Sequence, residues 1–178
     1  MDRNKTQEQL KYLVLTALFA AMTYVLTAFL HVPTHQGYVH FGDGMIYIAA
    51  SLLPMPYAMA VGAIGAGLSD FLSGYAVWVL PTVIIKAATA ACFSRRNEKM
   101  VCVRNLIALV PAAVICVGGY YLASGIIYGD FIAAFADVPS NLIQSVGSSI
   151  LFVLLGLALD RMGFKKKFLA YTTAKKTA

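Results

Sequence analysis

The chain has 178 residues, of which 60% are hydrophobic and only 12% are charged, and its mean hydropathy is +0.73. A soluble domain is roughly one half apolar and one quarter charged, so this composition excludes an ordinary soluble domain and predicts an integral membrane protein. The net charge of +6 comes from basic residues at the N-terminus, in one internal stretch and in the C-terminal tail, a distribution that argues against a nucleic-acid surface.

The apolar segments predict an all-α protein with six transmembrane helices. The first, 12–30, is too long for the core of a signal peptide. We expect the others over 43–56, 57–74, 78–94, 105–127 and 138–160. The second and third segments are short and are separated by Pro54 and Pro56, so a re-entrant hairpin would give the same topology; we favour two crossings. A single domain, 1–165, is then followed by a basic tail, 166–178.

The positions of the basic residues predict the orientation. No Lys or Arg lies between Lys11 and Lys86 or between Arg104 and Arg161. Six crossings from a cytoplasmic N-terminus put the basic stretch 94–104 and the basic tail inside. The outer connections are then 31–42, 73–77 and 128–137, and they contain no Lys or Arg. Both termini are therefore predicted to be cytoplasmic.

The first outer connection contains all three histidines of the chain, His31, His35 and His40. Their spacing matches no metal-binding motif and the glycines give no preset geometry, so we predict no metal site. Asp43 follows this connection and is suited to cap the N-terminus of the second helix. The histidines are either solvated loop residues or contacts for a ligand.

Two charged residues fall at membrane depth, Asp70 near the outer end of the third helix and Lys86 in the fourth. Their depths match, and either charge alone in lipid would be costly, so we predict an intramembrane ion pair. The pair is either structural or shared with a ligand or a proton.

Polar residues also follow one face of the sixth helix: Asn141, Gln144, Ser145, Ser148 and Ser149. The serines suit contacts between helices. A buried amide needs several hydrogen-bond partners, so we expect Asn141 and Gln144 to face a polar ligand.

The outer end is rich in aromatic residues, among them Tyr75, Trp78 and Tyr121. They form either the usual interfacial belt of a membrane protein or a stacking wall for a flat heterocyclic ligand. The three cysteines, Cys92, Cys102 and Cys116, form no CxxC pair and are interpreted as small apolar fillers.

Ala17 and Ala21 form a small-xxx-small pair in the first helix, which serves either internal packing or the docking of another membrane subunit. The sequence has no phosphate-binding loop and no catalytic motif for hydrolysis, so no enzymatic activity is predicted.

Several of these residues together resemble a known family. Residues 37–90 contain, in order, Gly42-Asp43, a glycine-rich helix with Gly62, Gly65 and Gly67, Asp70, Ser73-Gly74-Tyr75, Thr82 and Lys86. This order resembles the S components of energy-coupling factor (ECF) transporters, in the branch with riboflavin, hydroxymethylpyrimidine and pyridoxine S components. The pair Ala17 and Ala21, and Asn141 followed by Gln144, extend the resemblance.

The resemblance implies a six-helix subunit of the bacterial plasma membrane that captures a water-soluble vitamin, pyridoxine-like or hydroxymethylpyrimidine-like first and riboflavin second. It implies docking through the first helix on a transmembrane coupling subunit with two ATP-binding-cassette ATPases, and no cofactor. The first outer connection would be a lid over the ligand. The expected ligand contacts are His35, Gln36, Tyr38, His40, Tyr75, Trp78, Lys86, Tyr121, Asn141, Gln144 and Ser145.

An alternative function is a stand-alone secondary transporter or channel with Asp70 and Lys86 as an ion or proton relay. The sequence shows no inverted repeat, which argues against this alternative.

Overall fold

The structure is a computed structural model, and it describes residues 3–33 and 38–172. Its helices are α1 (Arg3–Ala28), α2 (Gly42–Ala50), α3 (Met55–Leu72), α4 (Val79–Ala91), α5 (Val103–Tyr128), α6 (Phe131–Ala134), α7 (Val138–Arg161) and α8 (Phe164–Thr172). Short 3₁₀ turns, Ala76–Trp78 and Phe135–Asp137, precede α4 and α7. The predicted all-α class is confirmed, with one small hairpin added to it.

That hairpin lies in the first connection. Strands β1 (His31–Pro33) and β2 (Tyr38–His40) are antiparallel, with His31 opposite His40. Two of the predicted lid contacts, His35 and Gln36, lie outside the described residues. The hairpin therefore fixes the two ends of the predicted lid where they join α1 and α2.

Within the described residues, four helical stretches are long and apolar enough to cross a membrane: Lys5–Ala28, Met55–Leu72, Val103–Tyr128 and Phe131–Arg161. Ala76–Ala91 is a shorter apolar helix. The nine residues of α2 rise only about 14 Å, less than the roughly 30 Å of a hydrocarbon core. The number of crossings and the side on which the termini lie stay predictions.

Helix α2 lies in the centre of the bundle, with all nine of its residues buried. A helix that is apolar on every side favours such a position. Tyr47 of α2 stacks on Phe93 with ring centroids 4.6 Å apart, and Phe152 meets Tyr47 edge to face at 6.2 Å. The first turn of α2 is consequently held inside the protein.

The glycines of α3 allow close helix approach on two sides. A Cβ on Gly65 would lie 2.7 Å from the carbonyl oxygen of Ala20 in α1, and one on Gly62 would lie 2.7 Å from the carbonyl oxygen of Lys86 in α4. Real Cβ atoms do not come so close, so larger residues would push the helices apart. Helix α3 thus separates α1 from α4 by little more than its own backbone.

The connection between α4 and α5 is held by side chains at the end of the bundle that carries the basic residues. Both carboxylate oxygens of Asp160 accept backbone N–H groups, from Met100 and Val101, each at 2.9 Å. Asn105 accepts a hydrogen bond from the N–H of Ser94 at 2.9 Å. The internal basic stretch therefore has a fixed backbone path.

Helix α8 packs against this same end. It begins after Gly163, whose φ of +63° is left-handed, and its Phe168 and Thr172 are buried. Lys11 of α1 donates to the carbonyl oxygen of Tyr171 at 2.7 Å. The predicted division at 165 falls within α8, Phe164–Thr172, and stays a prediction.

Candidate functional site

The centre of the candidate site is a buried ion pair between α2 and α4. The Lys86 ammonium lies 2.8 Å from Oδ1 of Asp43 and donates to Oδ2 at 2.8 Å. Both side chains are almost completely buried. Each charge in this interior needs the other, because an isolated charge would lose its hydration without compensation.

This pair corrects the predicted partner of Lys86, which was Asp70. The backbone of Lys86 packs on Gly62, eight residues before Asp70 along α3. At 1.5 Å per residue this separation is about 12 Å along the helix axis, more than a lysine side chain spans. Asp70 is buried near the end of α3, where its carbonyl oxygen accepts from the N–H of Tyr75 at 2.8 Å.

The capping role predicted for Asp43 is also wrong. The N-cap position of α2 is Phe41, and no side chain caps this helix. Asp43 lies in the first turn, where a negative charge is favourable near the helix N-terminus, but its carboxylate faces the interior. The carboxylate is used for the ion pair.

Gln144 of α7 connects the ion pair to the hairpin. Its Nε2 donates to Oδ2 of Asp43 at 3.1 Å, and its Oε1 accepts from the backbone N–H of His40 at 3.3 Å. The predicted ligand-facing position of Gln144 is thus next to both charges and to strand β2. Movement of this strand must break or lengthen a hydrogen bond to the same amide that contacts Asp43.

His40 fixes the turn between β2 and α2. Its Nδ1 accepts the N–H of Gly42 at 3.1 Å, which requires the neutral imidazole. His40 is buried in the connection before α2, and burial lowers its pKa to about 4. The charges of Lys86 and His31 act in the same direction, and Asp43 opposes them.

Two residues of α5 complete the cluster, and the sequence analysis did not select either as a site residue. The Cys116 thiol lies 3.5 Å from Nζ of Lys86 and 3.9 Å from Oδ2 of Asp43. The ring of Tyr120 lies over the Lys86 ammonium, 5.0 Å from it, and its hydroxyl bonds to Thr82 at 2.9 Å. The spacing of Cys116, Tyr120 and Ser124, each four residues apart, was the available signal for this face.

An aromatic wall continues from Tyr120 toward the outer connections. Trp78 contacts the rings of Tyr120 at 5.9 Å and Tyr128 at 6.2 Å. Tyr121, which was predicted in the site, instead contacts Phe131 and Phe135. Successive residues on a helix point about 100° apart, so choosing Tyr121 over Tyr120 selected a different face.

The other predicted site residues vary in their surroundings. Asn141 is half-buried on α7 and donates to the carbonyl oxygen of Asp137 at 3.0 Å. Ser145 is buried next to Gln144, and Tyr75 is half-buried after α3. Tyr38 is the first residue of strand β2.

The chemistry available here is reversible recognition. The cluster offers a carboxylate, an ammonium, an amide and an aromatic face, which are the kinds of group that line binding sites for polar ring ligands. In the part of the chain that the structure describes, no three His, Cys, Asp or Glu side chains come together in a way that could hold a metal ion.

Comparison with known proteins identifies the family. A family model described as "ECF-type riboflavin transporter, S component" matches residues 7–161, most of the chain. The chain belongs to the ECF-type S components. This family carries out vitamin-type membrane transport, so the S component is a membrane transport protein rather than an enzyme.

The chain is also similar to individual proteins and to a solved structure. The S component is 25% identical over 164 residues to the thiamine precursor transporter HmpT of Lactococcus lactis, covering 90% of this chain and 95% of HmpT. It is 30% identical over 133 residues to an uncharacterized protein of Pyrococcus woesei, covering 73% and 87% of the two chains. A structure titled "Structure and mechanism of the S component of a bacterial ECF transporter" has the same fold, with a TM-score of 0.66, 21% identity, and coverage of 86% and 98%.

These findings do not favour the alternative of a stand-alone transporter or channel. The relay that it requires, Asp70 with Lys86, also has no support in the geometry, because Lys86 is paired with Asp43.

A double-mutant cycle tests the corrected pairing. Asp43→Asn or Lys86→Met alone should destabilise the protein by about 3–5 kcal/mol, because each leaves the other charge buried and unpaired. The double variant should lose much less than the sum of the two. Chemical unfolding in detergent, followed by circular dichroism, measures each free energy.

Asp70→Asn provides the matched control for this cycle. Its effect should add to that of Lys86→Met within about 0.5 kcal/mol, because the two residues are not partners. Strong coupling of Lys86 with Asp70, together with additivity for Asp43, would restore the original pairing.

The pKa of His40 predicts a pH dependence of stability. The ordinary value is 6.5 and the folded value about 4, so between these values the unfolded chain binds more protons. The contribution of His40 is complete above pH 6.5 and is lost as the pH falls toward 4, by at most about 3 kcal/mol. Unfolding free energies measured from pH 7.5 to pH 4 should show this loss.

His40→Asn is the control, because the Asn side chain can accept the Gly42 N–H but does not titrate. Its unfolding free energy should fall less than that of the wild type over this range. Identical pH profiles for the two proteins would rule out His40 as the titrating group.

Proposed function

We propose that this S component captures a small heteroaromatic vitamin or vitamin precursor and passes it to a separate coupling module. The preferred substrates are pyridoxine-like or hydroxymethylpyrimidine-like, with riboflavin second. The observation that supports this most directly is the Asp43–Lys86–Gln144 cluster, buried under the hairpin and covered on one side by Tyr120.

The size of this site favours a single-ring ligand. Strand β2 contacts Gln144 directly, and the Tyr120 ring is 5.0 Å from the Lys86 ammonium. A ring with one or two hydroxymethyl groups needs only modest displacement of these groups, whereas the three fused rings of riboflavin need much more. The similarity to HmpT, a thiamine precursor transporter, supports the same order of substrates.

The proposed binding mode uses both faces and edges of the ligand ring. Tyr120 and Trp78 stack on a face, as aromatic side chains do with flat ligands. Lys86, Gln144 and Asn141 bond to polar atoms at its edges, and the buried hydroxyl of Ser145, which is next to the Cys116 thiol, adds another bond. Tyr75 and His40 would close the site from outside, and the sequence adds His35, Gln36 and Tyr38 as predicted contacts of the same connection.

Substrate release and rebinding would work through Gln144. The Gln144 amide bonds both to the backbone of the hairpin and to Asp43. A ligand that replaces either hydrogen bond would therefore change how strongly the hairpin is bound to α7. The ligand contributes hydrogen bonds that replace those already present, and the site needs no covalent chemistry.

The proposed topology has six crossings in a bacterial plasma membrane, with both termini inside. The basic stretch 94–104 and the basic C-terminal residues support it, because cytoplasmic loops carry the excess of Lys and Arg. In this topology the second crossing would be formed by α2 together with the residues that flank it, because α2 alone rises only about 14 Å, and all nine residues of α2 are buried inside the protein.

Docking on the coupling module is proposed for the outward face of α1. Ala17 and Ala21 are exposed there, whereas Ala20 and Thr23 face the bundle. Small exposed residues at this spacing let another membrane helix approach closely. A transmembrane coupling subunit and two ATPases on separate chains would then supply the energy for release.

The ligand assignment is tested with the purified full-length protein in detergent. Mass spectrometry of the small molecules released by denaturation should identify a pyridine or pyrimidine alcohol. Calorimetric titration with pyridoxine, hydroxymethylpyrimidine and riboflavin should give that order of affinities or its first two members exchanged. Tightest binding of riboflavin would reverse the proposed order.

Two adjacent tyrosines give a matched pair for the site itself. Tyr120→Leu should weaken binding roughly tenfold, since it removes ring stacking and the contact with Lys86. Tyr121→Leu should change the affinity less than about twofold, because Tyr121 packs on Phe131 and Phe135. Equal losses in both variants would argue against a ligand on the Tyr120 face.

The docking role is tested with Ala17→Trp. The bulky side chain should leave ligand affinity unchanged but reduce ATP-driven uptake in cells at least about tenfold, since it blocks close helix approach. Val114→Trp, on the exposed face of α5, is the control and should transport normally. Normal uptake by Ala17→Trp would place the docking surface elsewhere.

A further inference from the structure

A buried lysine lies at the opposite end of the bundle from the hairpin. Lys165 of α8 is 1% exposed. Its ammonium donates to the carbonyl oxygen of Lys99 at 3.3 Å, a long bond that uses one of its three protons. Within residues 3–33 and 38–172, no carboxylate forms an ion pair with Lys165.

One other cation, Arg95, acts on Lys165. Burial lowers the pKa of Lys165, and the positive charge of Arg95 acts in the same direction. Asp160 favours the charged form, but both of its oxygens already accept backbone N–H groups of Met100 and Val101. Arg95 and Lys165, which we call the basic notch, are therefore two positive charges whose neighbouring carboxylate, Asp160, is already used by the backbone.

The excess of Lys and Arg in the cytoplasmic loops of membrane proteins does not explain why Lys165 is buried near Arg95. An excess of Lys and Arg on one side of a membrane requires basic residues at that side, which solvated residues such as Lys166 and Lys167 satisfy. It does not require that a lysine be buried next to an arginine, at a cost in desolvation. A bound anion would offset that cost.

In the proposed topology the notch would lie near the level at which phospholipid headgroups meet the hydrocarbon. Arg95 donates to the hydroxyl of Tyr12 at 2.8 Å, and its guanidinium lies 5.5 Å from the ring centroid. The next residues of α1, Leu13 and Val14, are exposed and apolar, as lipid-facing residues are. The exposed ring of Tyr171 on α8 is typical of the membrane interface.

We propose that the basic notch binds the phosphate group of an anionic phospholipid in the leaflet at this end of the protein. The phosphate would accept from the Lys165 ammonium and the Arg95 guanidinium, which has donors left beyond its bond to Tyr12. The lipid chains would lie along the exposed apolar side of α1. This binding would hold α8 and the connection between α4 and α5 to the bundle.

The test measures lipid binding by the full-length protein in a nonionic detergent. Native mass spectrometry with added phosphatidylglycerol should show one tightly held lipid, and phosphatidylcholine should bind much more weakly. Lys165→Met should lower the affinity for phosphatidylglycerol roughly fivefold. Lys167→Gln, which removes an exposed charge from the same helix, should retain wild-type affinity for the tightly held lipid.

Arg95→Gln is the second variant and covers the case in which Lys165→Met does not fold. It should weaken phosphatidylglycerol binding by a similar factor. Equal phosphatidylglycerol affinity in wild type and in the folded notch variants would overturn the proposal, as would equal binding of phosphatidylcholine.

Inorganic phosphate separates a lipid site from a site for a free anion. We expect millimolar phosphate to leave the thermal unfolding midpoint nearly unchanged, whereas phosphatidylglycerol should raise it by several degrees in wild type and by less in Lys165→Met. Equal stabilisation by inorganic phosphate and by phosphatidylglycerol would show a free-anion site and overturn the lipid assignment.

Discussion

The ion pair between Asp43 and Lys86 is the constraint on which the other features of the site depend. Two opposite charges in an interior of low dielectric constant are stable only together, and breaking such a pair costs far more than the pair itself contributes. Its formation requires α2 inside the bundle, α4 close to α3, and Gln144 and Cys116 facing inward. The same arrangement leaves a concentrated set of polar groups under the hairpin. A polar ligand can exchange hydrogen bonds with this set without leaving a charge unpaired.

The pair also connects the ligand site to the chain that covers it. Asp43 is three residues from His40, and Gln144 contacts both. The turn between them is fixed by the bond from Gly42 to the neutral imidazole. A Cβ on Gly42 would lie only 2.0 Å from Oγ1 of Thr27 in α1, so there is no space for a side chain at this turn. The hairpin is thus joined to the core through a short, tightly packed segment.

The overall class could be predicted from the sequence because it depends on composition and on long apolar segments. The predicted helices 105–127 and 138–160 agree closely with α5 and α7, and the residues of the family pattern include Asp43, Lys86 and Gln144. The pairing could not be predicted, because depth was counted from assumed helix ends. The contact of Gly62 with Lys86 shows that Asp70 lies about 12 Å too far along α3. Tyr120 was missed for a different reason: two neighbouring tyrosines differ only in the face they occupy. In a helix that is apolar nearly all round, the signal that distinguishes them is weak, the four-residue spacing of Cys116, Tyr120 and Ser124.

The glycines of α3 bring its backbone into direct contact with the backbones of both α1 and α4. On one side Gly65 touches the backbone of α1, and on the other side Gly62 touches the backbone of α4 at Lys86. Backbone contacts of this kind have no flexible side chains that could absorb a displacement. A shift of α4 by even a fraction of an ångström must therefore move α3, and with it the helix whose outward surface carries Ala17 and Ala21. Binding of a ligand at the proposed site would therefore change the shape of the membrane-facing surface of α1. The backbone of α3 would transmit this change from α4.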